Sequence, residues 1–326
     1  MKFGVLGNSK VGMKIFPAMT ASARVELAMI GSRDAENAKE GAAKYGIPQW
    51  GTYADVLANK ELDAIYISLP NTLHEEWSVK ALEADKHVIC EKPAALDYAS
   101  AKRMAATAKK SGKRLMEGLM FRYHPQHAKV KEFIQDGTLG KLVRFDACFS
   151  MPMQSGNMVD KELGGGALNY MAPYPIYASR MIFEEEPINI HCRMKDHPEH
   201  GVDLRADMIM EYPEGKIAFA STIMDGYFQS TYGVLGSKAG VRMGRAYAVP
   251  KDMGTRIFLD ANDKTEEIDI PPVDQFQIML DAFCEEASRP APTEDYEGDL
   301  VAQARVLEAA RLSAKEGRTV DISEIS

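Results

Sequence analysis

The first 120 residues alternate short apolar runs with amphipathic stretches, and this rhythm constrains the fold more than any other feature of the sequence. The apolar runs have the length and polar flanks of strands. They are Lys2–Leu6, Val25–Ile30, Ala64–Ser68, His87–Cys90 and Arg114–Leu119. The stretches between them have helical spacing, over Val11–Thr20, Ala35–Tyr45, Glu75–Ala84 and Tyr98–Ser111. Strands that alternate with helices predict a parallel sheet covered on both faces.

The rhythm changes after Pro125, where one helix is followed by strands up to about residue 270. The predicted strands are Leu142–Phe149, Leu204–Tyr212, Lys216–Ile223 and Gln229–Leu235. The predicted fold class is therefore α/β, with a doubly wound parallel sheet in residues 1–121 and a large, mostly antiparallel open sheet in an α/β domain over 122–326. A final helix is expected from Asp299 to Glu316, and whether it packs back on the first domain is left open.

Composition limits the kinds of partner. The chain has 39 Lys and Arg residues and 47 Asp and Glu residues, which gives a net charge of −8. Nonspecific electrostatic binding to nucleic acid or to an anionic membrane is therefore not expected. No apolar run reaches the roughly 18 residues that span a bilayer, and the sequence enters its first strand pattern without a signal-peptide core. We expect a cytoplasmic protein.

The cysteines and histidines give no sign of a metal site. The four cysteines are far apart and form no CxxC pair, which favours free thiols in a reducing compartment. His197 and His200 flank Pro198 without carboxylate ligands close by, so a surface turn is favoured there. No metal is expected.

A glycine-containing loop follows the first strand. It reads Gly7-Asn8-Ser9-Lys10-Val11-Gly12, a variant of the dinucleotide-binding fingerprint that leads into a helical pattern. Gly7 permits a tight turn, and backbone N–H groups at the start of the helix can face a pyrophosphate. Ser9 stands where the second glycine is usual, and an ordinary strand-to-helix turn is the alternative interpretation. We expect all six residues to line a nucleotide site.

The end of the second strand bears on which dinucleotide is bound. An NAD enzyme carries an acidic residue there for the ribose 2′-hydroxyl, whereas this chain has Ser32 and Arg33. The guanidinium fits a 2′-phosphate, and Ser32 can donate a hydrogen bond, so NADP(H) is favoured over NAD(H). Two roles are open for Asp34. It caps the next helix, which is the favoured alternative, or its carboxylate weakens the preference for NADP(H) over NAD(H).

Several further segments share the pattern of one family. They are Asp63–Asn71 with His74, Lys86–Pro93 with its Glu-Lys-Pro ending, Met120–Pro125, Gly164–Leu168 and Ser313–Gly317. In these the chain resembles the Gfo/Idh/MocA oxidoreductases, which include inositol dehydrogenase, dihydrodiol dehydrogenases and nucleotide-sugar ketoreductases. The resemblance implies a Rossmann domain and an α/β domain whose open sheet often forms an interface, so a homodimer or homotetramer is expected.

Lys92 follows a buried strand, so its ammonium is expected at the carboxyl edge of the sheet, where open α/β folds bind ligands. A lysine there can donate a hydrogen bond or a proton to a carbonyl oxygen as hydride adds to carbon. Desolvation would lower its pKa, and Glu91 would oppose that change. The resemblance assigns Lys92 to the active site and places both residues beside the cofactor.

The second catalytic position departs from the commonest family pattern. Many relatives carry an Asp and, four residues later, a His after the glycine triplet, one helical turn apart on one face. The matching positions here are Tyr170 and Tyr174. Tyrosine at the second position occurs in some branches, so the resemblance implies Tyr174 as the proton donor, with its phenol pKa lowered by Lys92. Tyr170 is expected to stack on a sugar ring or line an apolar pocket. Helix packing is the alternative for each tyrosine.

Other candidate residues lie on loops that follow strands. By analogy with the family, four of them border the nicotinamide ribose: Leu69, Pro70, Asn71 and His74. After the sixth strand come Arg122, Tyr123 and His124, which are placed to meet cofactor or substrate, although His124-Pro125 also suits a helix start. Asn157, before the glycine triplet, is a candidate substrate contact.

These observations favour an NADP(H)-dependent oxidoreductase that acts on a secondary alcohol or ketone of a sugar, polyol or cyclic diol. Two alternatives stay open. One is an NAD-linked inositol or sugar dehydrogenase, and the other is a regulator of the same fold that binds the cofactor without catalysis.

Overall fold

The computed structural model describes residues 1–9, 12–153 and 155–326, and these residues divide into two units. The first unit contains Met1–Gly118 and Phe276–Val301. The second contains Leu119–Gln275 and Ala302–Ser326. Each unit has its own sheet and its own buried apolar core.

The sheet of the first unit is parallel throughout. Its six strands, all within the described residues, are β1 (Lys2–Leu6), β2 (Glu26–Ser32), β3 (Gln49–Thr52), β4 (Ala64–Ile67), β5 (His87–Cys90) and β6 (Leu115–Glu117). They lie in the order β3-β2-β1-β4-β5-β6, and each neighbouring pair is parallel. The strand order reverses between β1 and β4. In such sheets, ligands bind outside the carboxyl ends of the strands at this reversal.

Helices alternate with these strands, as the sequence predicts. They are α1 (Gly12–Ala21), α2 (Ala35–Tyr45), α3 (Tyr53–Ala58), α4 (His74–Glu83) and α5 (Tyr98–Ser111), with a 3₁₀ turn at Asn71–Leu73. The longer helices carry clear end signals. Asp97 caps the start of α5 by accepting the N–H of Ser100, and Gly112 ends that helix in the left-handed conformation. Every residue of β4 is buried, as expected for a strand covered on both faces.

The second unit is built on a larger sheet. In the described part of the chain its strands are β7 (Leu142–Ser150), β8 (Asn189–Asp196), β9 (Asp203–Glu211), β10 (Ile217–Ile223), β11 (Gln229–Gly236), β12 (Ala239–Met243), β13 (Thr255–Ala261), β14 (Lys264–Ile270) and β15 (Val320–Asp321). Their order is β14-β13-β12-β11-β7-β10-β9-β8-β15. Neighbouring strands are antiparallel except for β7 and β10, which run parallel. This confirms the predicted fold class.

One face of this sheet is apolar and buried. In β9 the buried residues alternate with more exposed ones: Leu204, Ala206, Met208 and Met210 point into the core. Helix α8 (Pro173–Phe183) packs against β7 and β10 on that face. The Phe183 ring lies 4.8 Å from that of Tyr212. The remaining elements before residue 276 are α6 (Pro125–Gln135), α7 (Ala167–Tyr170) and 3₁₀ turns at Met120–Tyr123, Gly156–Val159, Lys161–Leu163 and Pro213–Gly215.

Two helices occupy the C-terminal part of the chain. They are α9 (Gln275–Ala287) and α10 (Tyr296–Glu316), and a 3₁₀ turn follows at Ile322–Glu324. The last helix was expected to begin at Asp299, and it begins one turn earlier. Among the described residues, none of the helices combines the length and apolar character that crossing a bilayer requires.

A buried ion pair joins β6 to the first turn of α10 within the first unit. Arg114 Nε lies 3.1 Å from Glu297 Oε1, and the same oxygen accepts the N–H of Leu115 at 2.7 Å. Arg114 Nη1 also lies 3.6 Å from Glu286 Oε1 on α9. The side chains of Arg114 and Glu286 are only 10% and 5% exposed, so removing the cation leaves buried negative charge without compensation.

We predict that Arg114→Met lowers the free energy of unfolding by about 3–5 kcal/mol, measured by urea denaturation. The matched control is Arg318→Met, which removes an exposed pair with Glu324, in which the two side chains are 46% and 38% exposed. That change is expected to cost at most about 1 kcal/mol. Equal losses in the two variants would contradict this account of the buried pair.

Candidate active site

The candidate site of the first unit lies at the carboxyl ends of its central strands. Gly7 follows β1, Leu69 follows β4, and Lys92 follows β5. Since β1 pairs with β4, and β4 with β5, these three chain ends share one edge of the sheet. That edge includes the point where the strand order reverses.

The loop after β1 requires its first glycine. Gly7 has φ +106°, and its N–H donates to the carbonyl of Gly31 at 2.9 Å. A Cβ at this position would lie 2.7 Å from the carbonyl oxygen of Ser68, closer than real Cβ contacts. Asn8 then joins the loop to α2, because its amide donates to Asn37 Oδ1 at 2.9 Å.

The same loop carries a polar group that suits a phosphate. The hydroxyl oxygen of Ser9 is buried and has no hydrogen-bond partner among the described residues. It lies just before the N-terminus of α1, where backbone N–H groups and the helix dipole favour an anion. The residues present therefore fit a dinucleotide pyrophosphate, with Ser9 as a hydrogen-bond donor in place of the usual glycine. Lys10 and Val11, also predicted to line this site, lie outside the described residues.

The end of β2 presents the groups predicted to select the cofactor. Ser32 is buried and Arg33 is exposed. Asp34 caps α2, because its carboxylate accepts the N–H of Glu36 at 3.0 Å, which confirms the favoured alternative. The phenol of Tyr53 is hydrogen-bonded to the backbone of Arg33. Burial raises the pKa of Tyr53, and the guanidinium partly offsets that rise.

Lys92 is partly removed from water, and charged side chains act on its ammonium. The Lys92–Pro93 peptide bond is cis, and the lysine side chain is only partly exposed. Desolvation lowers the pKa of Lys92, whereas the carboxylates of Glu91 and Glu117 oppose that change and Lys14 reinforces it. A lowered ammonium pKa suits a group that donates a proton near neutral pH.

Glu91, beside Lys92, is held by a tyrosine of the neighbouring strand. The hydroxyl of Tyr66 on β4 donates to Glu91 Oε1. Burial raises the pKa of Glu91, while the bond from Tyr66 and the charge of Lys92 act in the opposite direction.

His74 joins two loops at this edge. Its Nδ1 lies 2.8 Å from the carbonyl oxygen of Pro93, and its Nε2 lies 2.9 Å from that of Leu69. The ring is buried, which lowers its pKa. The segment after β4 continues through Pro70 and the buried Asn71. The ring therefore lies between the loops that follow β4 and β5 and contacts a carbonyl oxygen of each.

The predicted tyrosines belong to the second unit and lie on separate helices. Helix α7 ends at Tyr170, and α8 begins at Pro173, so the expectation that Tyr170 and Tyr174 share one face of one helix is wrong. Proline has no N–H and clashes with the preceding turn, so Pro173 begins a new helix instead of extending α7. Burial, with a contribution from Asp160, raises the pKa of Tyr170 to about 12.

Tyr174 is fixed by aromatic neighbours. It is buried, and its ring centroid lies 5.0 Å from that of Phe149, 5.6 Å from that of Tyr247 and 5.7 Å from that of Phe121. Its hydroxyl lies 3.9 Å from Met120 Sδ. The ring packing therefore orients the phenol.

The glycine triplet is anchored by a carboxylate that the sequence analysis missed. Asp203 Oδ2 accepts the N–H of Leu168 at 2.7 Å and so caps the first turn of α7. Gly166 has φ +109°, and a Cβ there would collide with Asp203 Oδ1. Burial raises the pKa of Asp203, opposed by the Leu168 N–H and by Arg311. A lone aspartate 35 residues away gives no local signal of this contact.

The remaining predicted residues of the second unit occupy different settings. The guanidinium of Arg122 lies 5.2 Å from the ring centroids of both Tyr123 and Tyr177. His124 is buried and caps α6, its Nδ1 accepting the N–H of Gln126 at 3.3 Å, which confirms the helix-start alternative. Burial lowers the pKa of His124 to about 4. Asn157 is exposed.

The described residues contain no group of three or more His, Cys, Asp or Glu side chains suited to a metal ion. Cys90, Cys148, Cys192 and Cys284 are free thiols. His197 and His200 lie in the turn between β8 and β9, with ring centroids 4.3 Å apart.

A doubly wound sheet with a glycine loop at the reversal of its strand order is typical of dinucleotide-binding proteins. Residues 1–119 match the family described as "Oxidoreductase family, NAD-binding Rossmann fold", and residues 127–242 match the "GFO/IDH/MocA C-terminal domain". The chain belongs to the Gfo/Idh/MocA family of oxidoreductases.

Its relatives include sugar reductases and dehydrogenases. The chain is 28% identical to a dTDP-3,4-didehydro-2,6-dideoxy-α-D-glucose 3-reductase of Actinomadura kijaniata, over 97% of this chain and 96% of the relative. It is 30% identical to a D-xylose 1-dehydrogenase (NADP⁺) of Haloferax volcanii, over 99% of this chain and 100% of the relative.

A 3-ketoreductase from Actinomadura kijaniata, solved in complex with NADP and TDP-benzene, superposes with a TM-score of 0.91. The two chains are 28% identical, and the match covers 96% of this chain and 97% of the other. Solved variants of that reductase carry glutamate or alanine in place of one lysine and phenylalanine in place of one tyrosine.

These findings confirm the predicted family, fold class and enzyme class. The chain is an NAD(P)-dependent oxidoreductase.

We predict that Gly7→Ala weakens NADPH binding at least tenfold, since the new Cβ meets the Ser68 carbonyl in a left-handed backbone conformation. Fluorescence titration with NADPH measures the affinity. Gly46→Ala is the matched control, because Gly46 has φ +67° but no atom within 4 Å of the added Cβ. It is expected to cost about 1–2 kcal/mol of stability and leave binding unchanged. Unimpaired NADPH binding by Gly7→Ala would contradict the assignment of the loop.

Proposed function

We propose that this protein transfers hydride between NADP(H) and a secondary alcohol or ketone of a sugar, polyol or cyclic diol, with Lys92 and Tyr174 acting on the substrate oxygen. The observation that carries the proposal is Lys92, a partly buried ammonium with a lowered pKa, at the sheet edge that also carries the glycine loop. An ordinary surface lysine is not desolvated in this way, and it has no counterpart of the carboxylates of Glu91 and Glu117.

The preference for NADP(H) rests on the end of β2. Arg33 is exposed there, so its guanidinium is available to a 2′-phosphate. The neighbouring carboxylate of Asp34 is occupied as a helix cap, so its role at the ribose is reduced. The xylose dehydrogenase relative is named for NADP⁺, and the ketoreductase relative was solved with NADP. Both are consistent with this choice.

Lys92 Nζ, as proposed, donates a hydrogen bond to the substrate oxygen. In the direction of reduction, negative charge develops on that oxygen as a hydride reaches the adjacent carbon, and a positioned ammonium stabilises it. The bound nicotinamide supplies or accepts the hydride. The carboxylates of Glu91 and Glu117 favour the charged form of Lys92 and oppose the desolvation that lowers its pKa.

Tyr174 Oη is proposed to transfer the proton. Phe149, Phe121 and Tyr247 fix its ring, which limits the orientations of the hydroxyl. The alternative within this proposal is that Lys92 transfers the proton and Tyr174 polarises the oxygen.

The relatives support a sugar as the proposed class of substrate. The named activities of the full-length relatives concern a dTDP-linked ketosugar and xylose. A sugar is therefore the favoured substrate, and a panel of ketosugars and aldoses assayed by NADPH oxidation or NADP⁺ reduction tests the proposal.

We predict that Lys92→Met lowers turnover about 10²- to 10⁴-fold while NADPH binding is retained, because one positioned proton-transfer or polarising group is lost. Tyr174→Phe is expected to lower turnover over the same range. Lys110→Met, which removes an exposed lysine of α5, is the control and leaves turnover unchanged. Near-normal turnover of Lys92→Met would refute the catalytic assignment.

We predict that Arg33→Ala weakens NADPH binding about 10- to 150-fold, which corresponds to the range of about 1.5–3 kcal/mol for a hydrogen bond to a charged group, and leaves NADH binding nearly unchanged. Paired fluorescence titrations with the two cofactors measure this. The matched control is Arg24→Ala, an exposed arginine that precedes β2 at the other end of the strand. An unchanged ratio of the two affinities in Arg33→Ala would show that NADP(H) is selected by other groups.

A further inference from the structure

Glu117 is a buried carboxylate that ends β6, directly beside the lysine strand. In the pairing of β5 with β6, Glu117 is opposite Cys90, two residues before Lys92. Glu117 is only 8% exposed to solvent. A carboxylate so far from water is costly to bury unless it is hydrogen-bonded or compensated by positive charge.

The end of β6 holds both sides of the turn that carries Lys92. Glu117 Oε1 accepts the N–H of Ala94 at 2.9 Å, after the lysine. Gly118 N–H donates to the carbonyl of Cys90 at 2.7 Å, before the lysine. The four-residue segment from Glu91 to Ala94 is therefore attached at both ends to one short strand.

The charged groups that act on Lys92 in the described part of the chain come from several elements. Glu91 on its own segment and Glu117 on β6 attract the ammonium, while Lys14 on α1 repels it. His74 on α4 also lies within Coulombic range, and its own pKa is lowered in part by Lys92. Tyr66 on β4 engages the carboxylate of Glu91. Among the described residues, Glu117 and Glu91 both favour the charged form of the lysine.

We propose that Glu117 is a positioning residue for Lys92, which fixes the turn that carries the lysine through the Ala94 N–H and places a buried negative charge on the strand next to the lysine strand. This inference rests on the proposed catalytic function of Lys92. Glu117 acts through Lys92 and has no assigned contact with substrate.

The test is Glu117→Gln, which keeps a carbonyl oxygen for the Ala94 N–H and removes the negative charge. Removing a nearby opposite charge lowers an ammonium pKa by about one unit or more, and Glu117 is one of the charges that raise the pKa of Lys92, so this pKa falls in the variant. A catalytic ammonium must be protonated for reduction. The alkaline limb of the pH profile of ketosugar reduction is therefore expected to move at least about one pH unit lower, with near-normal turnover on the acidic side.

Glu286→Gln is the matched control. Glu286 is also a buried carboxylate of the first unit that accepts backbone N–H groups, those of Thr293 and Glu294, but it is not among the charges that act on Lys92. Its substitution is expected to lower stability and leave the pH profile unchanged. A Glu117→Gln profile that coincides with that of the wild type would overturn the inference, as would an equal shift in both variants.

A second readout does not depend on activity. Titration of the ¹³Cε resonance of Lys92 in the protein without cofactor, assigned with Lys92→Met, gives the ammonium pKa directly. It is expected to be lower in Glu117→Gln than in the wild type, and an unchanged value would contradict the inference. If Lys92→Met keeps full turnover, the proposed function itself fails. If Lys92→Met is inactive while Glu117→Gln shifts neither the resonance nor the profile, only the inference fails.

Discussion

The structure depends on one electrostatic balance at the carboxyl edge of a parallel sheet. An ammonium there is partly removed from water, which favours its neutral form, and two carboxylates favour its charged form. These two effects act in opposite directions on the pKa of Lys92, which is lowered overall. Contacts with neighbouring segments fix the position of the lysine. His74 contacts the segments after β4 and after β5. The end of β6 is hydrogen-bonded to the lysine turn on both sides of Lys92.

The same sheet edge explains why the dinucleotide loop and the lysine occur together. Parallel strands bring all their carboxyl ends to one side, and the reversal of strand order between β1 and β4 leaves room for a ligand there. Gly7 provides the left-handed turn, Ser9 offers an unpartnered buried hydroxyl among the described residues, and α1 begins directly after the loop. The groups proposed for cofactor binding and for catalysis are therefore placed by the same topology.

Much of the first unit could be predicted from the sequence, because strands buried on both faces are continuous apolar runs and the helices carry caps such as Asp34 and Asp97. The strand Gln49–Thr52 was missed, since it is a four-residue edge strand that exposes Trp50 and has no apolar run. The roles of Glu117 and Asp203 could not be found in this way, because each depends on a backbone N–H more than 20 residues away. Pro173 is a local sequence signal for the end of the helix between Tyr170 and Tyr174. The four-residue spacing of the family pattern instead led to the prediction of one continuous helix.

The most direct test of the central claim is a crystal structure of the protein with NADP⁺ and a sugar alcohol that it oxidises. The measured quantity is the distance from Lys92 Nζ to the reacting oxygen of that alcohol. The account predicts a hydrogen bond of about 2.6–3.2 Å. A lysine whose nitrogen points into bulk solvent, more than about 6 Å from the reacting oxygen, would contradict it.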